Sequence, residues 1–97
     1  MVMLALVRLG DDAYAAGVLE EIRAQTGRNA ARGALYRTLD RLESKGLVAW
    51  STEESTPARG GHPRRVFRVT AEGVEALGAS REALLNLWAG IEQTFER

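Results

Sequence analysis

Apolar positions in the first half of the chain recur with the spacing of helices rather than strands. Residues 1–9 are almost wholly apolar up to Arg8, and Gly10 ends the run, so a short helix is expected there. Gly10-Asp11-Asp12 has the composition of a turn, with Asp12 placed to cap a helix over residues 13–25. Along that stretch Tyr14, Val18, Leu19 and Ile22 share one face, while Glu20, Glu21 and Arg23 lie outside it. Thr26-Gly27 closes it, glycine being suited to a left-handed C-cap. A third helix is expected over residues 30–45, capped by Asn29 and stopped by Gly46. Ala31, Leu35, Leu39 and Leu42 form one narrow stripe along it. Arg32, Gly33, Tyr36, Arg37, Asp40 and Arg41 fill the rest of its circumference.

The period then changes. Leu47, Val48 and Trp50 in residues 47–53, and Val66, Phe67 and Val69 in residues 64–70, are strand formers. Between them, residues 54–63 contain Pro57, Gly60, Gly61 and Pro63, so the pair reads as a hairpin around a loop. Thr70 is a good N-cap for a last helix over residues 71–96, with Glu72 complementing its dipole. Val74, Leu77, Arg81, Leu84, Trp88, Ile91 and Phe95 are spaced alternately three and four apart, a heptad seam interrupted by one charge. A helix of that length would reach ~39 Å. Part of the seam is expected to pack on residues 1–9 of its own chain and part on a second copy.

Helix, turn, helix, hairpin and long helix together predict a mainly α fold with a small β-hairpin wing. This is a winged helix-turn-helix over residues 1–70 with a long C-terminal dimerisation helix over residues 71–97, one compact domain overall. A chain of 97 residues has a modest core, which a dimer interface would supplement. The sequence has no cysteine and a single histidine, His62, so thiolate and multi-histidine metal sites are excluded and no metal or cofactor is expected. The adjacent acids Asp11-Asp12, Glu20-Glu21 and Glu53-Glu54 read as solvated pairs. No nucleophile with a base and no phosphate-binding loop points to an enzyme. The first apolar run is too short for a membrane span and lacks the flanks of a signal peptide, so the expected location is the cytoplasm.

Net charge is zero, yet its distribution is uneven. Residues 28–68 carry nine bases against four acids, while both flanking stretches are acidic, and twelve of the thirteen bases are arginine. A basic middle between acidic ends suggests one surface facing a polyanion. Arg28, Asn29, Arg32, Gly33, Tyr36, Arg37 and Arg41 on or before the third helix are candidate DNA contacts. So are Arg59, Gly60, Gly61, Arg64 and Arg65 on the wing. The Tyr36 hydroxyl suits a phosphate, although packing of the ring against the wing is an equal structural option. A winged helix that binds another protein is the alternative. Arginines on both the third helix and the wing favour DNA, because an interaction module needs neither set.

Several of these segments resemble the PadR family of bacterial regulators. They are Gly33-Ala34-Leu35-Tyr36, the run from Leu39 to Leu47 with its Lys45-Gly46-Leu47 end, the basic wing, and Thr70 to Gly73. Leu87-Trp88-Ala89-Gly90 is similar to a branch of the family with a short tail. The resemblance implies a homodimeric repressor, a recognition helix at residues 30–45, DNA contact by Tyr36 and nearby bases, and a dimer built from the first and last helices. Leu4, Val74, Leu77, Leu84, Trp88, Ile91 and Phe95 are the corresponding interface candidates. In some short-tailed relatives a tryptophan on the last helix lines a drug-binding cavity at the dimer interface; Trp88 is the only candidate on this helix, with packing in the seam as the commoner role of such a tryptophan. Two departures stand out. Ala31 replaces a usual serine or threonine, leaving capping to Asn29, and members usually carry more residues ahead of the first apolar run, whose shortening would weaken the dimer.

Overall fold

The computed structural model describes residues 1–53 and 64–96. Its elements run α1 (Val2–Leu9), a 3₁₀ turn (Gly10–Asp12), α2 (Ala15–Thr26), α3 (Arg32–Ser44), β1 (Val48–Glu53), β2 (Arg64–Val69), α4 (Ala71–Trp88) and a closing 3₁₀ turn (Glu92–Phe95). β1 and β2 pair antiparallel from Val48↔Val69 to Glu53↔Arg64. The expected mainly α fold with a hairpin wing is what forms. The core is small: Ala5 and Leu6 of α1, Val18 and Ile22 of α2, Leu35 and Leu39 of α3, and Val48 and Phe67 of the hairpin meet at its centre. The stripes of α2 and α3 therefore supply the core, except that Ala31 is exposed and Tyr14 lies outside it, while the seam of the last helix stays out of it.

Three boundaries differ from expectation. α2 starts at Ala15 with Tyr14 in the N-cap position and no side-chain cap, so Asp12 does not cap it. Asp12 ends the 3₁₀ turn instead, and its carbonyl accepts from the Tyr14 amide at 2.9 Å. Ala13 is drawn to the sheet, where its carbonyl accepts from the Phe67 amide at 2.9 Å. That bond keeps residue 13 out of the helix. α3 likewise begins later, at Arg32, with Ala31 as its N-cap and no side-chain bond, so Asn29 is not the cap. A capping side chain reaches only two or three residues ahead, and Asn29 stands too far back.

The last helix is shorter than its apolar seam. α4 ends at Trp88, because Ala89 leaves helical geometry and Gly90 takes a φ of 85°. The Gly90 amide donates to Glu92 Oε2 at 3.1 Å. The chain then turns back and sets Phe95 edge-on against Trp88, with ring centroids 5.0 Å apart. Ile91 and Phe95 thus continue the apolar surface without continuing the helix. Eighteen residues of α4 span ~27 Å rather than ~39 Å.

α4 is fixed at its start. The Thr70 hydroxyl accepts from the Gly73 amide at 3.1 Å, as expected of an N-cap, and donates to the Gly46 carbonyl at 2.7 Å. The Thr70 amide donates to the Leu47 carbonyl at 3.0 Å. Gly73 is buried against this junction, where a Cβ would strike the Leu47 carbonyl oxygen and stand 2.5 Å from Val69 Cγ1. Gly17 in α2 differs, since a Cβ there would meet its nearest atoms at 3.6 and 3.7 Å, ordinary contact.

The two glycines should therefore respond oppositely to the same change. Gly73→Ala is expected to destabilise the fold by about 2–3 kcal/mol, because the clash is with backbone. Gly17→Ala should stabilise it by about 0.5–1 kcal/mol through helix propensity. Urea unfolding of both variants checks this, and a stable Gly73→Ala protein would refute the account of the junction.

Candidate nucleic-acid interface

Burial of Leu35 and Leu39 fixes the phase of α3 and turns the opposite side outward. Gly33, Arg37, Asp40 and Arg41 are exposed there, with Arg32 exposed on the flank towards the wing. Arg37 lies over Gly33, its Nη1 3.6 Å from where a Cβ would stand. Without a capping side chain, the first amides of α3 face outward with no partner from the helix, a setting that favours anions. Arg28 and Asn29 are exposed in the connection before α3, where the Arg28 amide donates to Thr26 Oγ1 at 3.1 Å.

The hairpin sorts its arginines by face. Cross-strand pairing puts Arg65 on the side of Trp50 and Phe67, and Arg64 on the side of Glu53. The Arg65 guanidinium lies 4.8 Å from the Trp50 ring centroid, 5.1 Å from Tyr36 and 5.4 Å from Phe67. These aromatic faces attract the cation and hold it in place. Tyr36 is half-buried, so its ring does pack against the wing, while no described residue hydrogen-bonds its hydroxyl. Arg59, Gly60 and Gly61 lie outside the described residues.

A cleft of about 310 Å³ opens where α2, α3 and the wing converge, lined by Tyr14, Arg32, Tyr36, Arg64 and Arg65. Arg64 stacks over the Tyr14 ring at 3.8 Å and approaches Glu53 Oε1 at 3.5 Å. The Tyr14 hydroxyl donates to the Glu53 carboxylate. That hydrogen bond, then partial burial and the carboxylate's charge, raise the Tyr14 phenol above its ordinary 10.0, with Arg64 pulling the other way. The sequence placed Tyr14 in the core face of α2 and gave Glu53 only a solvated role. The hairpin reading pairs Glu53 with Arg64, but no local signal joins either to Tyr14, 39 residues from Glu53.

The candidate dimer residues fall on two adjoining patches. Leu4, Val74, Leu77, Leu84 and Trp88 share an apolar groove of about 680 Å³ between α1 and α4. Ile91 and Phe95 join Leu84, Leu87 and Trp88 in a second, smaller hollow of about 120 Å³. Every residue from Gly78 to Glu96 is exposed. Among the described residues no helix is long and apolar enough to cross a membrane, and no three acidic or histidine side chains gather as for a metal ion.

A three-helix unit with a basic outer helix, an arginine-bearing hairpin beside it and a protruding last helix defines a winged helix-turn-helix DNA-binding regulator. The profile of the transcriptional regulator PadR-like family matches residues 3–79. A PadR family transcriptional regulator from Eggerthella lenta is 30% identical, with a TM-score of 0.75 over 98% of this chain and 80% of its own. A PadR family regulator from Clostridium difficile superposes with a TM-score of 0.74 at 21% identity, over 97% of this chain and 96% of its own. A PadR-like regulator from Bacillus cereus does so with the same score at 15% identity, over 97% and 89%. The last two bear on the fold alone. No curated protein sequence matches the chain. The chain belongs to the PadR-like family of transcriptional regulators, proteins that act on DNA and are not enzymes.

The contact at the wing root has a spectroscopic consequence. A phenol with a raised pKa contributes stability that is complete below the unfolded pKa and is lost as pH rises through the folded one. Glu53→Gln should bring the Tyr14 phenol down towards 10.0. Phenolate absorbance in a Tyr36→Phe background, where Tyr14 is the only tyrosine, reads it directly. An unchanged titration would exclude the Tyr14–Glu53 contact.

Proposed function

We propose that this chain is a homodimeric repressor that reads a pseudo-palindromic operator with α3. The observation that carries the reading is the exposure of Arg37 and Arg41 on the outer side of α3, with Arg32 on the flank where Arg64 and Arg65 of the wing meet it. On this reading α3 enters the major groove, where Arg37 and Arg41 face base edges. Arg28, Asn29, Arg32, Gly33 and the open start of α3 meet the flanking phosphates. Tyr36, Arg64 and Arg65 hold phosphates at the wing root, and Arg59, Gly60 and Gly61 are further phosphate contacts.

The second copy covers α4 and α1. Leu4, Val74, Leu84, Trp88, Ile91 and Phe95 are all more than two-fifths exposed, an unusual load for so small a protein. Burying a side chain of that size gains about 1.5–3 kcal/mol. The set taken twice offsets an association cost of about 4–15 kcal/mol. Leu77, half-buried beneath the groove, anchors its floor. Two-fold symmetry then sets the recognition helices about one turn of DNA apart, ~34 Å, and occupancy of the operator blocks transcription. A small-molecule effector would enter the groove against Trp88 and favour a dimer whose α3 helices no longer match that spacing. Such a protein works in the cytoplasm of a bacterium.

Binding to the DNA upstream of its own coding sequence, against scrambled duplex over a salt series, is the deciding experiment. Selective binding with a steep salt slope is expected. A confirmed dimer that binds neither duplex at low salt would leave the winged helix as a protein-interaction module. Arg37→Ala should relax base preference and cost about 1–3 kcal/mol at the operator. Arg64→Ala should weaken all sequences alike and flatten the salt slope by about 0.9. Leu84→Glu places a charge in the groove and should yield a folded monomer by sedimentation, with operator affinity falling sharply. A variant that stays dimeric would move the interface elsewhere.

A further inference from the structure

The wing root holds an arrangement that the reading of α3 does not require. Tyr14 begins α2, and Arg64 and Glu53 end the paired part of the hairpin, yet the three side chains meet. The hydroxyl donates to the carboxylate, the guanidinium faces the same carboxylate at 3.5 Å, and its Cζ lies over the phenol ring, 3.8 Å from the centroid. A hydroxyl and a guanidinium converging on one oxyanion are the donors that proteins direct at a DNA phosphate. Here the oxyanion comes from the chain itself. It sits against two residues, Tyr14 and Arg64, of a cleft whose charged lining groups, Arg32, Arg64 and Arg65, are all cationic.

We infer that Glu53 is the resident anion of a phosphodiester subsite, so that DNA docks at the wing root by exchange. The Glu53 carboxylate leaves Tyr14 and Arg64, and a phosphate oxygen takes both donors. The inference rests on the DNA-binding reading above and adds Tyr14 as a phosphate contact and Glu53 as the residue that sets the threshold for it. Three features make exchange feasible. Both partners of the Arg64–Glu53 pair are well exposed, at 45% and 37%, and ion pairs of that kind contribute little stability. The stack on Tyr14 keeps Arg64 in position after the carboxylate departs, so the site is organised before the phosphate arrives. A carboxylate beside the cleft also repels any phosphate that approaches without displacing it. Duplexes that make few contacts along α3 are thereby penalised more than an operator that makes many.

The test compares the full-length parent, Glu53→Gln, Arg64→Gln and the double variant on operator and scrambled duplexes over a salt series. Thermal melts establish that each is folded. Glu53→Gln should bind scrambled duplex roughly three- to tenfold more tightly, the effect of removing one nearby like charge, with a salt slope steeper by up to about 0.9. In the Arg64→Gln background the same change should gain little. Glu53→Gln binding that is unchanged or weaker would overturn the exchange and make Glu53 an organiser of Arg64. A gain that persists in full without Arg64 would overturn it too, since it would reflect bulk charge. Inorganic phosphate, followed by NMR at the Tyr14 ring and Arg64 Nε, supplies a readout independent of DNA. Glu53→Gln should respond at several-fold lower phosphate than the parent, and equal responses would overturn the inference. Failure of the parent to bind any duplex would instead remove the DNA reading, leaving the phosphate titration to judge the subsite.

Discussion

The junction of Thr70 and Gly73 with Gly46 and Leu47 governs the architecture. One hydroxyl caps α4 and holds the end of α3, one amide joins the sheet to the same turn, and a glycine lets two backbones touch. Each group is ordinary alone. Together they fix where α4 leaves the body, and the direction of α4 decides what the molecule presents. Thrown outward from this point, α4 exposes its length from Gly78 onward and leaves Leu4 of α1 as one wall of an open groove. The motifs Lys45-Gly46-Leu47 and Thr70-x-x-Gly73 are far apart in the chain but are two halves of one contact. α3 and α4 are thereby coupled through a few atoms rather than through a large core.

That coupling matters because the core itself is thin. Among the described residues ten apolar side chains are buried, and the wing joins the helices chiefly through Val48, Phe67 and the backbone bond from the Phe67 amide to Ala13. With so little interior, surface aromatics take on structural work. Arg65 between Trp50, Tyr36 and Phe67, and Arg64 on Tyr14, tether the hairpin to α2 and α3 through contacts that also display positive charge. The ambiguity over Tyr36 dissolves on these grounds. A ring packed under Arg65 and a hydroxyl with no described partner are compatible roles for one side chain.

Helices and strands were legible in the sequence wherever burial set the period. Leu35 and Leu39 fixed α3, Val18 and Ile22 fixed α2, and the alternation of Val48 and Phe67 with polar neighbours fixed the hairpin. Thr70 was legible as a cap because an N-cap is a local interaction. Asp12 and Asn29 misled for a related reason. Capping residues report only that a helix could start nearby, and the true starts were set by a sheet bond at Ala13 and by the phase of the α3 leucines. The seam of the last helix misled in another way. Its apolar spacing runs unbroken to Phe95, but spacing records which residues want one surface, not whether the backbone stays helical between them. Gly90 breaks the helix, and Phe95 returns to Trp88 through a turn. The Tyr14–Glu53–Arg64 contact was out of reach, because it joins two segments 39 residues apart through side chains that local pattern assigns to core and solvent.

The charge distribution ties these observations to a regulator's task. A protein with no net charge gains little from long-range attraction to DNA, and its acidic ends oppose any approach but one. On the proposed reading, affinity comes from the short cationic surface of α3 and the wing, where arginines are held by aromatic rings or by the outward face of a helix. Such a surface is effective only when correctly oriented. In this setting a carboxylate held by Tyr14 and Arg64 beside the basic cleft is consistent with the rest of the design rather than a defect in it. Weak attraction at every site is traded for a larger difference between one well-matched site and the many poorly matched ones, and that difference is what a regulator has to produce.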